Sequence, residues 1–181
     1  AGRLRHSPIA GVILTNGEVD AVAGLLSLRE GSPFAIHAHP RVLATLRANS
    51  IFNVLDVALV RRESVALDQA FEPRLPGGAA SGLEILPFAV PGKIALFLES
   101  GSASNNFGSR DGDTIGLHIT EDSTGKSFFY IPGCAEVDAP LAEKIKGADL
   151  VFFDGTLYTD DEMLKQGLMQ KTGKRMGHIS M

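Results

Sequence analysis

Leu14-Thr15-Asn16-Gly17-Glu18-Val19-Asp20-Ala21-Val22-Ala23-Gly24-Leu25-Leu26 runs from the end of an apolar segment, through a polar loop, onto a helix-like repeat. Residues 9–15 are a short β-branched run and read as a strand, whereas leucine, valine and alanine recur at helical spacing over 20–29. Asp20 suits the N-cap of that helix. A second unit repeats the order. Residues 34–38 read as a strand and 40–48 as a helix, with Pro40 well placed in the first turn.

Further along, the alternation gives way to locally connected strands. Residues 57–67 are strand-like, and 73–82 form a loop rich in proline and glycine. Segments 83–90, 94–98, 114–119 and 128–131 then read as strands parted by glycine, proline or serine turns. Residues 100–113, rich in serine, asparagine and glycine, read as an excursion between two of them. A helix is expected over 140–146, a buried strand over 150–153 and a helix over 160–166.

The chain has 181 residues, 44% of them hydrophobic, enough for one domain with its own core. A formal net charge of −4, with lysine and arginine scattered, gives no footprint for nucleic acid or an anionic membrane. No apolar run approaches the roughly 20 residues that span a bilayer. Cys134 is the sole cysteine, which excludes an internal disulfide and a cysteine-rich zinc knuckle and suggests a reducing, cytoplasmic setting. A start at Ala1 and an end at Met181, just after a Gly-His turn, suggest a fragment.

Five segments carry a family resemblance: Leu28-Arg29-Glu30-Gly31, Val90-Pro91-Gly92-Lys93, Tyr130-Ile131-Pro132-Gly133-Cys134, Phe153-Asp154-Gly155-Thr156 and Met176-Gly177-His178-Ile179. In order and distance they resemble the pyrroloquinoline quinone (PQQ) biosynthesis protein B family, a branch of the metallo-β-lactamase superfamily. The resemblance covers essentially the whole chain and implies a metallo-β-lactamase-like αββα sandwich, a partial single domain over 1–181, incomplete at both ends. Family members are longer, with a glycine-rich strand turn and a cysteine-rich structural zinc segment towards the N-terminus and more sheet beyond the C-terminus.

The superfamily signature Thr-His-x-His-x-Asp-His-x-x-Gly supplies four metal ligands from one strand-to-helix loop. Aligned to it, Asn16 and Glu18 stand at the first two histidine positions, Asp20 matches the aspartate, Ala21 replaces the last histidine and Gly24 matches the glycine. Many family members carry histidine where this chain has Ala21. The bridging aspartate of related hydrolases is missing from Tyr130-Ile131-Pro132-Gly133-Cys134, and no histidine follows Val90. His178 matches a ligand of the second metal.

The resemblance therefore implies a metal set of Asp20 and His178, with Glu18 as a third ligand. Such a carboxylate-rich set, weakly holding iron or zinc, suits iron or manganese better than a sulfur-seeking metal. Asp20 also has a purely structural reading as a cap. Asn16 and Glu18 read equally as polar loop residues facing a cavity. Asp154, ending an apolar strand, either binds a backbone amide or orients His178 from behind. Lys93 reads as a pocket cation or a surface charge, and Cys134 as a pocket residue or a small buried one. His37 and His39 read as partly buried polar groups rather than ligands.

The implied role is the making of PQQ from a glutamate and a tyrosine of a precursor peptide. One activity is oxygen-dependent, metal-assisted hydroxylation of the tyrosine ring of the cross-linked glutamate-tyrosine intermediate. The alternative is carriage of PQQ or its precursor toward the periplasm. Zinc hydrolysis ranks last, because a water nucleophile at neutral pH needs a metal firmly held, usually by histidines, and most of these are replaced. Oligomeric state is not legible.

Overall fold

A computed structural model describes residues 6–98 and 110–181. Three parallel strands, β1 (Gly11–Leu14), β2 (Phe34–Ala38) and β3 (Val60–Ser64), form one sheet in the order β1-β2-β3. All five residues of β2 are buried, as expected for a central parallel strand covered on both faces. Alternation sends Phe34, Ile36 and Ala38 into one apolar cluster with Leu14, Val22, Val42, Leu43 and Leu46. Leu14 is on β1, and the other partners come from α1 (Val19–Val22) and α2 (Pro40–Ala48), which cover the outer face.

The second sheet has the order β4 (Leu83–Ala89), β5 (Ile115–Glu121), β6 (Ser127–Ile131) and β7 (Val151–Phe153). Its first two pairings are antiparallel and β6–β7 is parallel. A parallel pair needs a crossover. That crossover is α3 (Ala139–Ile145), capped by Asp138 accepting from the Leu141 N–H at 2.9 Å. Leu141 packs with Phe88, Ile131 and Cys134 on the outer face of this sheet. Between the sheets, Ile13 packs against Ile85, Ile115 and Leu117. The layers are therefore helix, sheet, sheet, helix.

The sheets are stitched at one end. Ile115 N–H donates to the Thr15 carbonyl at 2.8 Å, beside a bridge between Asn16 and Thr114. Next to it the Arg41 guanidinium grips Asp113 with two bonds, Nε to Oδ1 at 2.6 Å and Nη2 to Oδ2 at 3.0 Å. Such a fork fixes orientation as well as distance. It ties the first turn of α2 to the start of β5, and so holds the loop after β1 against the second sheet.

Several local expectations change. Residues 94–98 do not extend a sheet; Leu96–Leu98 form a 3-10 turn, a short apolar run being equally compatible with either period. The helix over 20–29 begins one residue earlier and passes into a 3-10 stretch, Ala23–Leu28, which contains Gly24 and Ser27, both poor helix formers. Glu18, not Asp20, stands at the N-cap, and its side chain makes no capping bond. Asp20 lies inside the first turn, where its charge still suits the helix dipole. Most of the expected excursion over 100–113 lies outside the described residues. Towards the C-terminus, α4 (Glu162–Lys165) precedes α5 (Gly173–Met176), a turn of helix not expected from the sequence.

Candidate functional site

β7 leads directly into Asp154, whose carboxylate is almost fully enclosed and collects four donors. Oδ1 accepts from the Thr156 N–H at 3.1 Å and from its hydroxyl at 2.7 Å. Oδ2 takes the Cys134 N–H at 3.4 Å and lies 2.7 Å from Nδ1 of His178. Burial pushes this carboxyl up, but the bonds from Thr156 and His178 outweigh it and hold the group below the usual aspartate value. The ionised form can only accept, so His178 Nδ1 donates to it, and Nε2 is the ring nitrogen left for the cleft that His178 lines.

The chain brings His178 to Asp154 by a short device. Thr172 caps α5 by accepting from the Arg175 N–H at 3.3 Å, and Gly177 ends it at φ +86°, in the left-handed region that favours glycine. The His178 N–H then donates back to the Gly173 carbonyl at 3.0 Å, and Ser180 bridges to Leu157 beyond β7. His178 side-chain exposure is 33%, against 1% for Asp154. One partner is anchored and the other is offered.

His178 opens on a cleft of about 780 Å³, which Asn16, Glu18, Asp20, Ala21, Lys93, Tyr130 and Leu168 also line. Asn16 shapes the loop: its Oδ1 accepts from the Glu18 N–H at 2.9 Å, an Asx turn. Glu18 Oε1 lies 3.1 Å from Lys93 Nζ, with both side chains mostly covered. Asp20 is exposed and accepts from the N–H of Ala21 at 3.1 Å. The cleft thus presents two carboxylates, an ammonium and an imidazole between apolar walls.

The ligand set expected from the resemblance is not assembled. Glu18, Asp20 and His178 share the cleft, yet among the described residues no three His, Cys, Asp or Glu side chains are grouped to hold an ion. A zinc or non-haem iron centre ordinarily takes three or four protein ligands. The physical reason is visible at Glu18, which faces an ammonium instead of a second ligand. As arranged, these residues do not fit a three-ligand metal ion.

Cys134 is fully buried, with its thiol 3.1 Å from the Glu136 carbonyl, and burial pushes that thiol up. It serves the site through its backbone N–H rather than as a nucleophile. His37 is buried in β2, its Nδ1 3.4 Å from Glu63 and its ring tilted against Phe71. His39 caps α2, its Nδ1 accepting from the Arg41 N–H at 3.4 Å. Neither lines the cleft. Thr156 was not singled out in the sequence, although Asp-x-Thr is a spacing at which a carboxylate captures the N–H two residues on.

The fold and the cleft define a class. The β-lactamase superfamily domain matches residues 1–181, and the chain belongs to that family. Within it, the similarity is to coenzyme PQQ synthesis protein B: 63% identity over 180 residues with the protein of Bradyrhizobium diazoefficiens, covering 99% of this chain and 58% of that one. The Rhodopseudomonas palustris protein of that name is 61% identical over 181 residues, covering 100% and 58%. Among solved structures, Zn(2+)-bound PqqB from Methylobacterium extorquens superposes with a TM-score of 0.88 at 46% identity, covering 100% of this chain and 57% of that one. The chain therefore spans just under three fifths of the length of these relatives. The resemblance read from the five motifs holds along its whole length.

Proposed function

We propose that this chain acts in PQQ biosynthesis and that its cleft takes the glutamate-tyrosine-derived precursor for oxygen-dependent hydroxylation of the tyrosine ring. One observation carries the reading: a buried, four-fold bonded Asp154 stands behind His178 and turns Nε2 to the cleft. That nitrogen accepts the phenolic proton of a bound ring, and Asp154 stabilises the imidazolium that results. A phenolate is more electron-rich at its ring carbons than a phenol, which favours attack by an oxygen species. Oxygen activation would need iron, for which Asp20 and His178 would supply two protein ligands, and a reductant whose two electrons send the second oxygen atom to water. Leu168 and Met169 line the cleft and give the aromatic ring an apolar wall.

A second reading, carriage of PQQ or its precursor, draws support from the Lys93–Glu18 pair, since a cleft already neutralised by its own side chains binds ligand without chemistry. Oxygen uptake by the intact protein, supplied with ferrous iron, a reductant and the cross-linked glutamate-tyrosine intermediate, separates the two. The hydroxylase reading expects oxygen consumption and a product heavier by oxygen. Saturable binding with no oxygen consumed favours the carrier, and neither binding nor uptake overturns both. Zinc-dependent turnover of β-lactam, thioester or phosphodiester substrates is not expected.

A further inference from the structure

Lys93 is built into the cleft with unusual care for a lysine. The backbone before it is pinned: a Cβ on Gly92 would come within 2.5 Å of Thr114 Oγ1, and that hydroxyl donates to the Lys93 carbonyl at 3.2 Å. Its stem crosses the end of α5, where a Cβ on Gly177 would lie 2.8 Å from Lys93 Cγ. Gly177 thus makes room for the lysine stem, and Gly92 for the Thr114 side chain that holds the Lys93 backbone. The ammonium emerges in the cleft that His178 also lines and meets Glu18 at 3.1 Å, with side-chain exposures of 17% and 22%. A long, flexible cation is held by packing before its charge makes any contact.

We propose that Lys93 is an internal counter-ion that takes, on Glu18, the place a divalent metal ion would need, and so sets how poorly the cleft holds metal. A metal drawn to Glu18, Asp20 and His178 has to displace an ammonium from a mostly covered carboxylate and then lie next to that same positive charge. Both effects oppose binding. Lys93 acts on Glu18 in this way whichever reaction the cleft supports.

The test is calorimetric titration of zinc, and anaerobically of ferrous iron, into the intact protein and its variants. Lys93→Met keeps the stem over Gly177 and removes the charge; both metals should then bind roughly tenfold tighter or more, since close, desolvated charge pairs couple on that scale. Lys93→Arg, which keeps the charge, should stay near the parent. Adding Glu18→Gln to Lys93→Met should erase the gain. The proposal is overturned if Lys93→Met binds metal no tighter than the parent, or if the gain survives Glu18→Gln. Should thermal melting show Lys93→Met to be unfolded, Lys93→Gln carries the same expected and overturning results. Failure here would leave the oxygen-uptake test untouched.

Discussion

Two carboxylates serve the same cleft, Glu18 on its wall and Asp154 buried behind His178, and they are held in different ways. Asp154, at the end of β7, is enclosed and bonded by Thr156, Cys134 and His178. Glu18, in the loop after β1, is on the cleft wall, where it pairs with Lys93. A buried acid with every lone pair engaged fixes the direction of its partner. An acid at a cleft edge only balances charge. The difference teaches that the organised chemistry of this site lies at the β7–α5 end, while the superfamily's ligand loop keeps its shape with altered content.

The largest effect expected from this contrast is at Asp154. Asp154→Ala strands the Cys134 and Thr156 donors in the interior and should cost about 2–4 kcal/mol, read from denaturant unfolding. Glu18→Gln, at the other end, should change stability by less than about 1 kcal/mol. Comparable losses for the two would break the comparison.

Acid sharpens it away from the cleft. Burial holds His37 below its ordinary 6.5; Glu63 opposes this and Arg61 adds to it. Because the unfolded chain takes this proton first, the stability that neutral His37 contributes is complete above pH 6.5 and is lost as pH falls from there toward the lowered folded value. His37→Phe should flatten that part of a melting-temperature profile. An unchanged slope would show that other groups carry it.

Ala21 offers a smaller, site-directed effect. It lines the cleft beside Asp20, so Ala21→His adds an imidazole there and should tighten ferrous iron binding by roughly tenfold. The gain should vanish in an Ala21→His, His178→Ala double variant. Tight binding by the parent, unchanged by the substitution, would mean that the loop end is better organised than Glu18 and Lys93 suggest. The smallest effect concerns Cys134, whose buried thiol should resist a thiol reagent in the native protein and react once denaturant is added.

Much of this arrangement is legible in the sequence. Phe34–Ala38 and Pro40–Ala48 coincide with their expected bounds, since Pro33 and Pro40 bracket a short, mostly apolar run and Pro40 marks the start of the helix. Asp154 behind His178 was one of two readings of an acid at a strand end, and the contact itself depends on a chain separation of 24 residues that no local pattern encodes. The Lys93–Glu18 pair was not legible. It joins different layers and depends on Gly92 and Gly177, whose role shows only when Thr114 and the lysine stem are seen against them. Asp20 illustrates the opposite error: a correct residue in a helix start, displaced from the cap because the helix begins at Val19.

The central claim is that Asp154 fixes His178 with its proton on Nδ1 and its lone pair on Nε2. Nitrogen-15 NMR of the imidazole, recorded with the ring neutral, tests this directly. The parent protein should show a protonated Nδ1 and an unprotonated Nε2, and Asp154→Asn, which can turn a donor toward Nδ1, should lose that pattern. A neutral ring carrying its proton on Nε2 in the parent would contradict the account, because the group offered to the cleft would then be a donor and no base.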